Sequence, residues 1–256
     1  MSNIKNAFSK GKAFIPFITC GQISLDITEK TIYEMEKNGA NLIELGIPFS
    51  DPVAEGSIIQ SANNRALKNG TTTDKIFSML ESVRKNTDIP MVFMTYANIV
   101  FSYGIERFAE KSKKLKIDGI ILPDVPYEEK KEFDSIFKNH NIDFISLIAP
   151  TSEERISAIA KDSNGFIYCV SSLGVTGIRK NINTNIEKMV NLVKSVNNIP
   201  VAVGFGISTP KQAKEMSKYA DGVIVGSAIV KLCEEYEEDS PSYVGKYVKE
   251  MKNAIL

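Results

Sequence analysis

The chain has 256 residues, enough for one α/β domain that buries a sizeable core without staples. Lys plus Arg and Asp plus Glu both total 31, so no excess of positive charge points to nucleic acid or an anionic membrane. Residues 1–6 show no basic region leading into an apolar stretch, and no apolar run approaches membrane-spanning length, so a cytoplasmic protein is expected.

Short β-branched and aromatic runs recur at 14–19, 42–46, 91–95, 119–122, 144–148, 166–170, 201–204 and 222–225, giving eight strand candidates. Between them lie segments of helical period at 26–38, 58–68, 75–85, 128–138, 153–161, 186–196 and 210–218. Asp26 and Glu29 have capping-box spacing at the first, and Ser208 or Thr209 followed by Pro210 marks the start of the last. The acidic stretch 234–239 reads as a solvated connection before a final helix. Near-continuous apolar strands mean that both sheet faces are covered, which favours a parallel sheet. Eight strand-helix repeats in this length are the size of a (β/α)₈ TIM barrel, one domain over 1–256, with a doubly wound open sheet as the runner-up. Cys20, Cys169 and Cys233 show no metal-ligand spacing and read as small core residues, and His140 reads as exposed at a helix end.

Glu44 interrupts the apolar run 40–46. An unpartnered carboxylate there either finds donors or raises its pKa, so Glu44 is a candidate acid or base, with an ordinary paired strand-end carboxylate as the alternative. Barrel chemistry lies at the C-terminal strand ends, and the last two strands run into Gly204, Gly206 and Gly226, Ser227 before a helix start. Glycine lets backbone amides approach an anion and the helix dipole favours it, so this pair is a candidate phosphate cradle; tight turns alone are the alternative. The glycine-bearing segment 171–181, with Thr176 and Gly177, is a candidate lid or a surface connection. No strand core contains Lys, Arg or His, which leaves no Schiff-base lysine and no metal-ligand cluster. Proton transfer then falls to Glu44, Asp51, Glu55, Asp124, Tyr96 and Tyr168, while Phe17, Ile59, Ile121 and Phe205 could line a flat apolar pocket or simply fill the core.

Six motifs carry a resemblance: Phe14-Ile15-Pro16-Phe17-Ile18-Thr19, Glu44-Leu45-Gly46-Ile47-Pro48-Phe49-Ser50-Asp51-Pro52, Tyr96-Ala97-Asn98, Pro123-Asp124-Val125-Pro126, Gly174-Val175-Thr176-Gly177 and Gly204-Phe205-Gly206-Ile207-Ser208. In order and across nearly the whole chain, they resemble the tryptophan synthase alpha chain family. The resemblance implies a TIM barrel with extra short helices that cleaves indole-3-glycerol phosphate to indole and glyceraldehyde 3-phosphate without a cofactor of its own. It also implies a partner, the pyridoxal-phosphate-dependent beta chain, in an α₂β₂ heterotetramer, met through 48–52, 98–102 and 124–126. By motif position Glu44 matches the catalytic glutamate, and Gly177, Gly206, Gly226 and Ser227 match the phosphate site. The resemblance also implies that Phe17, Ile59, Tyr96, Ile121, Tyr168 and Phe205 fall at or near positions that surround the indole, and that Thr176 falls on the closing loop. The second catalytic carboxylate is usually Asp in an Ala-Asp-Gly segment; here it is Glu55, one methylene longer. Some members carry Arg where this chain has Ser172. A phosphate-sugar isomerase or epimerase and a docking-only activator of the beta chain are the competing readings.

Overall fold

The computed structural model describes residues 2–170, 182–204 and 206–256, with 182–185 by backbone alone. The chain opens with α1 (Ile4–Phe8), β1 (Ala13–Thr19), α2 (Leu25–Lys37) and β2 (Ile43–Gly46). It continues through α3 (Ser57–Lys68), α4 (Thr73–Val83), β3 (Met91–Met94), α5 (Ala97–Tyr103), α6 (Ile105–Lys114) and β4 (Gly119–Ile121). Then come α7 (Lys131–Asn139), β5 (Asp143–Phe144), β6 (Ser146–Ile148), α8 (Glu153–Lys161) and β7 (Ile167–Val170). The last elements are α9 (Ile182–Val196), β8 (Val201–Gly204), α10 (Pro210–Ser217), β9 (Gly222–Val225), α11 (Ser227–Tyr236) and α12 (Ser240–Ala254).

All strand pairs are parallel, in the order β5-β4-β3-β2-β1-β9-β8-β7-β6. The two sheet ends are halves of the expected fifth strand, which breaks at Ile145. Its first half pairs with β4, the Ile145 N–H donates to the Ile120 carbonyl at 2.9 Å, and its second half pairs with β7. Chain continuity through Ile145 therefore brings the ends together, and the result is the (β/α)₈ TIM barrel with nine short strands in place of eight.

Side-chain alternation sorts the strands into two layers. Ala13, Ile15, Leu42, Val92, Ile121, Ile145, Phe166, Tyr168, Ala202 and Ile224 form one buried cluster, the barrel interior, joined by Ile4 and Ala7 of α1. Their neighbours Phe14, Ile43, Leu45, Phe93, Ile120, Ile167, Val203 and Val223 belong to the larger cluster that packs beneath the helices. Because α1 meets residues at the strand beginnings, with the Phe8 and Phe166 rings 5.7 Å apart, it plugs the N-terminal end of the barrel. Loops at the other end are left to build a site.

Several local expectations change. Ser24, not Asp26, caps α2: its side chain accepts the Ile27 N–H at 3.1 Å, and Asp26 only adds negative charge to the first turn. The segment 128–138 starts as a single 3₁₀ turn, Tyr127–Glu129, before α7. Much of the acidic stretch belongs to α11 and a following 3₁₀ turn, Glu237–Asp239. His140 is not exposed: it ends α7 with a side chain only 12% exposed, its Nδ1 2.9 Å from the Ile136 carbonyl. The three cysteines are buried and unpaired, with burial pushing each thiol up to about 12, beyond ordinary reactivity. No helix among the described residues is long and apolar enough to cross a membrane.

Outside the barrel, Phe77, Phe93, Tyr103, Phe108 and Phe137 pack edge to face around Phe108, at 5.4–6.3 Å between centroids. Phe108 is fully buried, so Phe108→Ala leaves a void its rigid neighbours cannot refill, and urea unfolding should show a loss of about 3–5 kcal/mol. A loss below about 1 kcal/mol would show that this cluster does not anchor α6 to the barrel.

Candidate active site

On β2 the residues flanking Glu44, Ile43 and Leu45, face the helices, and Leu42 faces the interior, so alternation turns Glu44 into the barrel. It is 1% exposed, in register with Phe17 on β1 and Val92 on β3. Its Oε2 has no hydrogen-bond partner among the described residues. Burial, with the nearby charge of Glu55 second, pushes its carboxyl from 4.5 up to about 8. Near neutrality Glu44 therefore holds a proton that it can give and take back.

Glu55 stands on the loop between β2 and α3, half-buried. Burial raises it from 4.5 to about 7, against the opposing pull of hydrogen bonds from Tyr96 and Asn63. The Asn63 Nδ2 donates to its Oε2 at 3.1 Å, and the Tyr96 hydroxyl accepts the Ala54 N–H at 3.1 Å, tying the loop to β3. With values near 7 for Glu55 and 8 for Glu44, and the Glu55 charge adding to the cost of ionising Glu44, one carboxyl is ionised while the other keeps its proton near neutrality.

Apolar walls come from neighbouring strand ends. Phe17 and Ile59 converge beside Gly226, whose missing Cβ would lie 3.3 Å from Phe17 Cδ1 and 3.5 Å from Ile59 Cδ1. Ile121 is fully buried in the interior layer, and buried Tyr96 stacks on Phe49 at 4.9 Å. Tyr168 also points inward; its hydroxyl is held protonated well above its ordinary value by burial first and the Glu44 charge second. Gly204 makes room for it, since a Cβ there would stand 2.7 Å from Tyr168 Cζ.

The two glycine motifs differ in what their helices offer. At α10 the first turn satisfies itself: Thr209 accepts the Gln212 N–H, while Gln212 Oε1 accepts the N–H groups of Ser208 and Thr209 at 3.0 and 3.1 Å. At α11 the N-cap is Gly226, which brings no side-chain cap, and exposed Ser227 opens the helix. Its amides and dipole are available to an anion. Gly206 has φ +71° and nothing beyond its chain neighbours within 4 Å of its Cβ position.

Thr176, Gly177, Phe205 and the candidate lid 171–181 lie outside the described residues. Asp51 and Asp124 do not join the site. Asp51 is exposed and takes the Ser50 hydroxyl, and exposed Asp124 accepts the Ala97 N–H with both oxygens at 3.1 Å. Each is spent on loop structure. Asn63 was missed by sequence reading, although Ile59, Ala62, Asn63 and Ala66 share one face of α3 and a lone amide in that stripe was a visible signal. A separate cleft of about 370 Å³ lies between the β4–α7 and β6–α8 loops. It contains neither Glu44 nor Glu55, and its cations are engaged, Lys130 with the Asp162 carbonyl and Arg155 with Glu128.

A family model described as tryptophan synthase alpha chain matches residues 3–255. The chain is 44% identical to the tryptophan synthase alpha chain of Lacticaseibacillus casei over 255 residues, 100% of this chain and 96% of that one. Its fold superposes on the tryptophan synthase subunit alpha of Legionella pneumophila with a TM-score of 0.90 at 34% identity, covering 100% and 98% of the two chains. A chain in the tryptophan synthase a2b2 complex of Pyrococcus furiosus matches with a TM-score of 0.84 at 33% identity, covering 95% and 99%.

The Glu44 carboxyl also governs stability. Folding keeps a proton on it that the unfolded chain releases above 4.5, so its contribution is fully present below that pH and is lost as pH rises to about 8. Glu44→Gln removes the dependence. Urea unfolding at about pH 5 and about pH 9 should show the variant gaining on the parent at the higher pH, on the order of 2–4 kcal/mol. An equal difference at both pH values would contradict a buried ionisable carboxyl.

Proposed function

The chain belongs to the tryptophan synthase alpha chain family, and we propose that Glu44 and Glu55 perform its carbon–carbon bond cleavage. The protein is the lyase subunit of tryptophan biosynthesis that splits indole-3-glycerol phosphate into indole and glyceraldehyde 3-phosphate. The observation that carries the residue assignment is a fully buried glutamate whose Oε2 has no partner among the described residues and whose proton is retained to about pH 8, beside a second carboxyl that ionises near 7.

Protonated Glu44 gives its proton to indole C3, which turns the ring into an indolenine. The bond from C3 to C3′ of the glycerol chain then breaks, its electron pair returning to the ring. The C3′ hydroxyl proton passes to the Glu44 carboxylate as the aldehyde forms, so the acid is restored and atoms and charge balance. Glu55, ionised, accepts the indole N–H and stabilises positive charge on the ring while C3 is protonated. The substrate supplies its own electron sink, so side chains suffice and no cofactor is assigned to this chain.

Phe17, Ile59, Tyr96, Ile121, Tyr168 and Phe205 are assigned to the indole. Gly177, Gly206, Gly226 and Ser227 are assigned to the phosphate, with the free first turn of α11 as its main anchor. Thr176 is assigned to loop closure. The partner in this reading is a beta chain carrying pyridoxal phosphate, joined in an α₂β₂ heterotetramer as in the Pyrococcus furiosus complex. Val53, 78% exposed, and Phe101, 46% exposed, offer apolar surface beside the loops expected to meet it. Asp124 ties two of those loops together through Ala97. Residues 1–256 act as one domain, because β9 returns to β1 and α12 packs on α2, and the location is cytoplasmic.

Indole release from indole-3-glycerol phosphate, followed with and without a beta chain, tests the assignment. Glu44→Gln should fold and lose about 10²–10⁴-fold in rate. For the parent, kcat/KM should rise through about 7 as Glu55 ionises and fall through about 8 as Glu44 loses its proton. Near-parental cleavage by the folded variant would remove Glu44 from the mechanism.

A further inference from the structure

The loop that carries Glu55 is secured by more than its sequence neighbours. Gln60 Nε2 donates to the Glu55 carbonyl at 2.8 Å, and the Ala54 N–H before it is held by Tyr96. Both sides of the Glu55 backbone are thus fixed, and what remains adjustable is the side chain. Its Oε2 is taken by Asn63, which is 3% exposed on the otherwise apolar face of α3. A buried amide is costly unless its donors are used, so helix packing and the carboxylate contact require one another.

We propose that Asn63 is the positioning residue for Glu55: its side-chain amide draws the carboxylate back onto α3 and leaves Oε1 to meet the indole N–H. This rests on the assignment of Glu55 to the indole nitrogen. Donation from Asn63 to a carboxylate is charge-assisted and favours the ionised form. Among the described residues the other titratable groups that face Glu55 are Glu44 from β2, whose own ionisation the Glu55 charge opposes, and Tyr96 from the end of β3, whose hydroxyl favours the Glu55 carboxylate.

The contact has a length that can be exchanged between partners. Glu55→Asp shortens the acid by one methylene and Asn63→Gln lengthens the amide by one, so the double variant keeps the combined reach that either single variant breaks. We would measure kcat, KM and the pH profile of indole release for Asn63→Leu, Glu55→Asp, Asn63→Gln and the double variant, each with a saturating beta chain and with its urea midpoint. Asn63→Leu should lose about tenfold or more in kcat and move the rising limb of the profile to higher pH, while the falling limb stays with Glu44. The double variant should recover most of what Glu55→Asp loses. A merely structural role for Asn63 would lower the urea midpoint without moving the limb.

Parental kcat and limb in Asn63→Leu, or a double variant no better than Glu55→Asp alone, would overturn the proposal. Should Asn63→Leu fail to fold, the Glu55→Asp and double-variant pair still decides. Glu55→Gln separates the levels. If it keeps parental rates, the underlying assignment of Glu55 falls; if it is inactive while Asn63→Leu is unaffected, only the positioning role falls.

Discussion

One costly interaction organises the rest of the molecule: a carboxyl group enclosed by a barrel wall with no salt bridge among the described residues. Alternation along β2 commits Glu44 to the interior as firmly as it commits Ile43 and Leu45 to the helices, and no Lys, Arg or His shares the strand cores. Low polarisability and the neighbouring Glu55 charge make ionisation expensive, so the group keeps its proton to about pH 8. A partner such as arginine would stabilise the carboxylate and destroy the acid. The site's usefulness depends on what the sequence withholds from it.

The two ends of the barrel divide stability from chemistry. At the N-terminal end α1 fills the opening, Asp118 accepts the Asn3 and Met91 N–H groups at 2.6 and 3.0 Å, and Arg84 donates to four backbone carbonyls around the α4 and α6 termini. At the C-terminal end groups are left open or doubly used. The α11 N-terminus lacks its own cap, Tyr96 serves both a loop amide and Glu55, and Gly204 yields its side-chain space to Tyr168. Similar local motifs take opposite fates here: the capping box of α10 closes its first turn, while Gly226 leaves that of α11 accessible.

Periodicity carried the barrel, because buried parallel strands are the strongest apolar runs in the chain and eight of them could be read directly. What periodicity could not carry was the break at Ile145, since the apolar run continues unbroken while the hydrogen bonds change partner from β4 to β7. The helices α5 and α6 escaped because Gly104, at φ +88°, joins two short helices, and the basic residues of α6 hide a short apolar face of Ile105, Phe108 and Ala109 with Ser112. Glu44 was legible as a charge out of place. Glu55 needed the family motif, and Asn63 needed three dimensions, because the reason for an amide on the buried face of α3 is a carboxylate eight residues earlier. Asp51 and Asp124 belonged to equally suggestive motifs, yet their oxygens are used on loop donors, which no spacing reveals.

The Glu44 carboxyl is an enclosed acid coupled to Glu55. Carbon-13 NMR of glutamate δ-carbons, assigned by Glu44→Gln, measures it directly in the parent chain and in Glu55→Gln. A Glu44 midpoint near 8 is expected in the parent and a lower one when the Glu55 charge is removed. A midpoint near the ordinary 4.5, or one indifferent to Glu55, would contradict it.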